Sequence, residues 1–180
     1  SPTLVVKSTV INKDAGTGTL LLGLRNADNV YAGFNGKLQL PESVQVVGIE
    51  KSELLDYSAF FVDYHTFTHD DNRYVSFIGY GNNATFGGKG NLASVQLTID
   101  DSISVGRYDM NFVDETAEQM LNDDHAISNA DGSQSVNHQT VNGRLFVISN
   151  NSDNDLDGDP DITDTDEDND GIHDEFELDH

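Results

Sequence analysis

The chain has 180 residues, enough for one good-sized domain plus a small appendage. It carries 32 Asp and Glu against nine Lys and Arg, and this balance argues against nucleic acid and anionic membrane surfaces, which would repel it. Cysteine is absent, so no disulfide framework is available, and no run reaches the length of a transmembrane helix or has the form of a signal peptide. The abrupt start at Ser1-Pro2 reads as a piece cut from a larger polypeptide.

In chain order, residues 1–149 read as a series of short strands. The expected strands are Thr3–Ile11, Thr19–Leu24, Tyr31–Leu40, Val44–Glu50, Ser58–Tyr64, Arg73–Tyr80, Leu92–Ile99, Arg107–Val113 and Gly143–Ile148. Several alternate apolar with polar residues, as in Val95, Gln96, Leu97, Thr98 and Ile99, and they are rich in β-branched and aromatic side chains. Turn signals separate them at Asp14-Ala15-Gly16, Asp28-Asn29, Leu40-Pro41-Glu42, Asp70-Asp71-Asn72, Gly87-Gly88-Lys89-Gly90 and Asp131-Gly132. Nine such strands with almost no helical periodicity predict an all-β antiparallel sandwich. Only Asp114–Asn122 reads as a helical turn, with Ala117, Met120 and Leu121 on one face. Asp123–Gln139 is polar and irregular and is expected to form a long loop or a hairpin excursion.

Candidate catalytic signals in the body are weak. His65 and His69 have a spacing that would align two zinc ligands on a helix, but they follow a predicted strand, near its end and a turn, where the spacing loses that meaning. His125 and His138 stand apart in polar sequence and read as surface residues. Gly79-Tyr80-Gly81 and Gly87–Gly90 sit in hairpin context and read as turns, not phosphate loops. The acid pairs Asp100-Asp101 and Asp123-Asp124 fall where turns need Asp, giving a glycosidase pair little support. No nucleophile–base motif is present, so a non-enzymatic protein is expected.

The aromatic residues are more informative. Tyr57, Phe60, Phe61, Tyr64, Phe67, Tyr74, Phe77 and Tyr80 crowd one short region. Core packing of two adjacent strands is the default explanation. Alternation nevertheless puts Phe61 and Asp63 opposite in facing to Phe60 and Val62, and Tyr74, Ser76 and Ile78 opposite to Val75, Phe77 and Gly79. Some aromatic surface is therefore expected to be exposed, suited to a protein partner or a sugar ring.

The last 31 residues, 150–180, form a separate acidic segment. Fourteen of the chain's acids lie between Asp153 and Asp179, with no Lys or Arg among them. Two gapless twelve-residue stretches, DNDLDGDPDITD and DEDNDGIHDEFE, each fit the calcium-loop pattern D-x-D-x-D-G-x-x-D-x-x-[DE]. Calcium takes about six to eight hard oxygen ligands, so a short loop must turn alternate carboxylates inward around a glycine. The side-chain ligands of the first loop are Asp153, Asp155, Asp157, Asp161 and Asp164, with the Asp159 carbonyl at position 7. Those of the second are Asp166, Asp168, Asp170, Asp174 and Glu177, with the Ile172 carbonyl. The segment is therefore expected to bind Ca2+, two ions or more, and calcium loops of this kind favour an extracellular setting.

Two family resemblances follow from particular residues. The run Leu24–Leu55 looks like the front half of a cohesin domain, with an "aGF" strand, a Pro-bearing turn, a "V..V" strand and a leucine pair. Tyr74–Ile99 resembles the cohesin strand–turn–strand opened by G-x-G-x-L-A, here Gly88, Gly90, Leu92 and Ala93. Gly106–Phe112 and Val141–Val147 look like the last two strands. This resemblance spans residues 3–148 and implies a nine-stranded jelly-roll β-sandwich that binds a dockerin-bearing protein. It also implies that the binding face is the sheet holding the two aromatic strands with the Ala32–Leu40 and Arg107–Val113 strands. The tail resembles thrombospondin type-3 repeats. Only Thr165 separates its loops, leaving no room for the helix of a dockerin or an EF-hand. The sequence thus reads as an extracellular, non-catalytic protein-binding module with a calcium-ordered connector, or alternatively a carbohydrate-binding module or surface-adhesin repeat on a similar sandwich.

Overall fold

The computed structural model describes residues 1–56, 58–113 and 125–150. Among them fourteen strands form: β1 (Thr3–Lys7), β2 (Thr9–Asn12), β3 (Thr17–Arg25), β4 (Val30–Tyr31), β5 (Gly33–Leu40), β6 (Val44–Lys51), β7 (Phe60–His69), β8 (Asn72–Gly81), β9 (Phe86–Gly87), β10 (Gly90–Ile99), β11 (Gly106–Met110), β12 (His125–Ser128), β13 (Gln139–Val141) and β14 (Gly143–Ile148). Each of the nine expected strands overlaps at least one of these, two of them are broken in two, and β9, β12 and β13 lie where no strand was expected. A single 3-10 turn, Glu53–Leu55, joins β6 to the next sheet. The predicted helical turn at 114–122 lies outside the described residues.

The strands form a five-stranded sheet, β13-β1-β3-β10-β6, and a four-stranded sheet, β12-β5-β8-β7. A three-stranded sheet, β11-β14-β2, and a two-stranded one, β4-β9, complete the set. Pairing is antiparallel except for β1 with β13 and β2 with β14. One contiguous core draws Leu22, Leu24, Val95 and Leu97 from the first sheet, Phe34, Leu38, Val75 and Phe77 from the second, and Met110, Leu145 and Val147 from the third. This is the expected all-β sandwich.

Local chemistry explains the strand boundaries. In β10, Val95, Leu97 and Ile99 are buried while Ser94, Gln96 and Thr98 are half-buried, the alternation of a strand with one face on the core. A bulge between Asn91 and Ala93 interrupts that period, so Leu92 and Ala93 are buried side by side. The expected strand Thr3–Ile11 breaks at Ser8. Its first half joins β3 and its second runs parallel to β14, with the Ser8 hydroxyl accepting from the Arg144 N–H at 3.0 Å. The expected strand Tyr31–Leu40 breaks at Ala32, whose N–H turns aside to the Ser128 and Asn129 carbonyls, each at 3.2 Å. Neither break carries a turn signal, the first falling in Lys7-Ser8-Thr9 and the second in Tyr31-Ala32-Gly33, so a period-based reading runs through both.

The β5–β8 pair is fitted by two reciprocal glycine–phenylalanine contacts. Register places Gly36 opposite Phe77 and Phe34 opposite Gly79. A Cβ added to Gly36 would stand 2.6 Å from the Phe77 ring, and one added to Gly79 would stand 2.3 Å from that of Phe34. Each ring therefore lies over the bare backbone of the neighbouring strand. Gly79-Tyr80-Gly81 is thus the end of a strand and not a turn, correcting the sequence reading. The β7–β8 hairpin closes on Asp70 and Asp71, both at positive φ (50° and 65°), between the paired residues His69 and Asn72. Two consecutive left-handed residues match a tight hairpin turn whose twist suits the flanking strands.

Candidate functional site

The four-stranded sheet turns one face to the core and the other to solvent. Facing inward are Phe34, Leu38, Phe60, Val75, Phe77 and, from β12, Ile127. The outer face carries the alternate set: Asn35 and Lys37 of β5, Ser76, Ile78 and Tyr80 of β8, and Phe61, Asp63 and His65 of β7. Three large apolar residues stay exposed there: Phe61 at 49%, Ile78 at 45% and Tyr80 at 48%. Phe61 and Tyr80 are directly cross-strand, with ring centroids 5.5 Å apart. The predicted split of this region into core-facing and outward-facing aromatics is therefore what the structure has.

The far end of the same face is closed. Phe67 stacks on Tyr74 at 5.3 Å and 20°, and the two pack with Val113, so Tyr74 is buried although it points away from the main core. His65 lies 5.6 Å from the Phe67 ring. Lys37, Asp63 and His65 lie on the face alongside Ile78 and Ser76. An apolar centre with charged and polar side chains beside it has the anatomy of a protein interface.

β7 runs five residues beyond its expected end at Tyr64, which puts His65 and His69 in the middle and at the end of one strand. At about 3.3 Å per residue their Cα atoms are roughly 13 Å apart, too far to share a metal ion. Among the described residues no three His, Asp or Glu side chains converge as metal ligands. Asp100 is a turn residue as expected: its Oδ1 accepts the Ser102 N–H at 3.0 Å, and these bonds hold its carboxyl below the ordinary range.

The implied membership of the face needs one correction. β5, β7 and β8 share a sheet as expected, but Gly106–Met110 pairs with β14. Only its continuation reaches β5, through the bridge from Phe112 to Leu38 and the Val113 N–H to the Lys37 carbonyl at 2.9 Å. The other half of the β5 edge, Gly33–Gly36, is taken by β12, inside the stretch expected to be irregular. β12 continues into a turn that bridges back from Ser135 to Ser128, so the excursion is hairpin-like.

His125 and His138 are not the isolated surface residues expected. Both are half-buried, and their Nδ1 and Nε2 atoms lie 2.7 Å apart. His138 Nδ1 is also 3.2 Å from the Val136 carbonyl, which only accepts. The neutral arrangement that satisfies both has His125 donating to His138 and His138 donating to Val136. Thirteen residues and a turn separate the two imidazoles, so no local spacing signals the pair. All twelve predicted calcium ligands, from Asp153 to Glu177, lie outside the described residues.

No family model matches the chain, and no curated protein matches it. Solved structures do. A non-cellulosomal cohesin from the archaeon Archaeoglobus fulgidus superposes with a TM-score of 0.58 at 19% identity, over 83% of this chain and 92% of that one. The fold is cohesin-like. A type I cohesin–dockerin complex from Clostridium thermocellum matches at TM-score 0.62 and 11% identity, over 82% of this chain and 99% of the other. The third ScaC cohesin of Acetivibrio cellulolyticus, solved with the ScaB dockerin, matches at 0.61 and 17%, with the same coverages. The likeness thus covers about four-fifths of the chain.

Proposed function

We infer that the chain is a non-catalytic, extracellular protein-binding module that docks a dockerin-type partner on the outer face of the β12-β5-β8-β7 sheet. The observation that carries this reading is the exposed apolar centre formed by Phe61, Ile78 and Tyr80 on a regular sheet face. A sheet edge or loop cluster offers only scattered contacts, whereas these three side chains stand on two adjacent strands held in fixed register. Two of the cohesins that share the fold are described in complexes with dockerins, which supports the same class of partner here. The chemistry is burial of aromatic and aliphatic surface, with Lys37, Asp63 and His65 alongside to select the partner by charge.

The C-terminal segment is part of this reading as a calcium-ordered connector. The donor set suits Ca2+: ten carboxylates and two backbone carbonyls in two loops give enough hard oxygens for two ions without water. Cohesin-like domains that work outside the cell meet calcium at concentrations such loops can sense.

The experiment is a binding titration of dockerin modules from the source organism against the whole chain. Phe61→Ala and Ile78→Ala are each expected to weaken binding about 10-fold to 100-fold, as central interface residues do. Val47→Ala, an exposed residue of β6 in the other sheet, should leave it unchanged. Equal affinities for all three variants would place the docking surface elsewhere.

A further inference from the structure

One concave feature borders the docking face and shares only Tyr80 with its apolar centre. At the end of β8 a half-open groove of about 720 Å³ runs between the loop that follows Tyr80 and the turn that follows β12. Its lining includes Tyr80, Asn82, Asn83, Ser128 and Asp131. Its volume lies within the roughly 300–1,000 Å³ of small-molecule sites.

Small residues keep this space open: Ala32 and Gly132 belong to the lining, and a Cβ added to Gly132 would meet only the Ala32 Cβ, at 3.9 Å. Tyr80, half exposed, is the one aromatic residue of the lining, and its ring also lies 5.5 Å from that of Phe61. The other walls present amide, hydroxyl and carboxylate groups. Both polar walls are tied down by hydrogen bonds. On one side the Gly81 N–H donates to the Ala32 carbonyl at 2.9 Å and the Asn82 N–H to the Ala59 carbonyl at 2.8 Å. On the other, Asn129 Oδ1 accepts from Ser133 N–H at 3.0 Å and Gln134 N–H at 3.2 Å, and the Asn129 N–H donates to the Gln134 carbonyl at 2.8 Å. The Ser133 hydroxyl and N–H hold the Asp131 carboxyl below the ordinary carboxylate range, so at neutral pH it is an acceptor only.

Chemistry narrows the ligand. The lining includes no Lys, Arg or His, and the chain carries a net charge of −23, so an anionic ligand is disfavoured. A single carboxylate is too few for a metal ion. A wholly apolar ligand would leave the amides and Asp131 unpaired. What remains is a neutral molecule with one flat C–H face for the Tyr80 ring and a rim of hydroxyls for Asn82, Asn83, Ser128 and Asp131. Sugars whose hydroxyls are all equatorial have that form, and a groove of about 720 Å³ has room for more than one of them. We propose that the groove between Tyr80 and Asp131 is a binding site for a neutral, β-linked oligosaccharide.

The test is an NMR titration of the whole chain with cellotetraose, xylotetraose and, as an anionic control, oligogalacturonate. The expected result is saturable shifts confined to Tyr80, residues 82–85 and residues 128–132 with one or both neutral probes, and none with the anionic one. Tyr80→Ala should abolish them. Asn82→Ala and Asn83→Gly, the latter keeping the positive φ of 58° at that position, should each weaken binding about fivefold. Ile78→Ala should leave sugar binding intact while weakening a dockerin, so this proposal and the docking-face reading fail separately. Absence of shifts with both neutral probes overturns the site, as do shifts that persist in Tyr80→Ala.

Discussion

At the residue scale, the contact between Tyr31 and Asp28 links a buried side chain to the pH behaviour of the fold. The Tyr31 hydroxyl donates to Asp28 Oδ1 at 2.8 Å, and its ring is 2% exposed, packed against Phe86 at 6.1 Å. Burial pushes the phenol above its ordinary value, and the Asp28 bond adds to that shift. The same bond, seen from the other partner, holds the Asp28 carboxyl below its ordinary value. The signs differ in consequence. The raised phenol contributes stability that is present below about pH 10 and is lost as pH rises through its folded value. The lowered carboxyl contributes stability present above about pH 4 and lost as pH falls through its folded value. Asp28→Asn is therefore expected to lower the ionisation midpoint of Tyr31, leaving the part due to burial. A difference absorbance titration against Tyr31→Phe checks this, and an unmoved midpoint would show that burial acts alone. Residues of this kind were only partly legible beforehand. Asp28-Asn29 signals a turn, but nothing local shows that Tyr31 folds back onto it. The same limit hid His125 and His138, whose 2.7 Å contact depends on how a turn closes.

At the element scale, the β12-β5-β8-β7 sheet depends on how β5 and β8 interlock. Phe34 over Gly79 and Phe77 over Gly36 let two rings pack where side chains of normal size would force the strands apart. Gly79→Ala is expected to cost about 1–3 kcal/mol through overpacking, read as a lower denaturant midpoint with unchanged slope. Adding Phe34→Leu to that variant should return part of the loss by making room, and Ser76→Ala on the outer face should change little. If Gly79→Ala were as stable as the parent, the Phe34 ring would have another place to go. Much of this element-level structure was legible, because period-2 alternation and β-branched residues mark β6, β8, β10 and β14 to within two residues. Turn signals such as Asp14-Ala15-Gly16 and Asp131-Gly132 likewise fall between strands. What escaped was of two kinds. Breaks at Ser8 and Ala32 occur where no Gly-Asp-Asn turn cluster stands, and tertiary pairing, not composition, decides which sheet receives each half. β12 is four residues, HAIS, too short for a period to register, and it exists because the β5 edge is open to receive it. Alternation also showed which residues share a face but not which face is uncovered. The exposure of Phe61, Ile78 and Tyr80 follows from the architecture, in which the cluster of Phe67, Tyr74 and Val113 covers only the far end of the outer face.

At the scale of the whole molecule, charge divides the chain in two. Fourteen acids in the C-terminal segment, with no base among them, repel one another strongly, whereas the body holds its 18 acids beside nine bases. A segment with so little apolar surface gains almost nothing from burial, so on the proposed reading its order must come from bound cations. Two ions would remove four charges and bring the repelling carboxylates onto shared centres. On that reading Thr165 alone stands between the two loops in sequence, so two bound ions would order the segment as one unit. Calorimetric titration of the whole chain with calcium is therefore expected to give a stoichiometry of about two, one ion for each loop of the acidic segment. Asp153→Ala and Asp166→Ala, each at the first position of its loop, should each remove about one ion and weaken the other. Calcium should also protect the segment from proteolysis, because an ion that binds the ordered form stabilises it by mass action, whereas the sandwich itself should melt at the same temperature with and without chelator. Identical cleavage between Asp153 and Glu177 in calcium and in chelator would sink the calcium-ordered connector while leaving the docking face untouched.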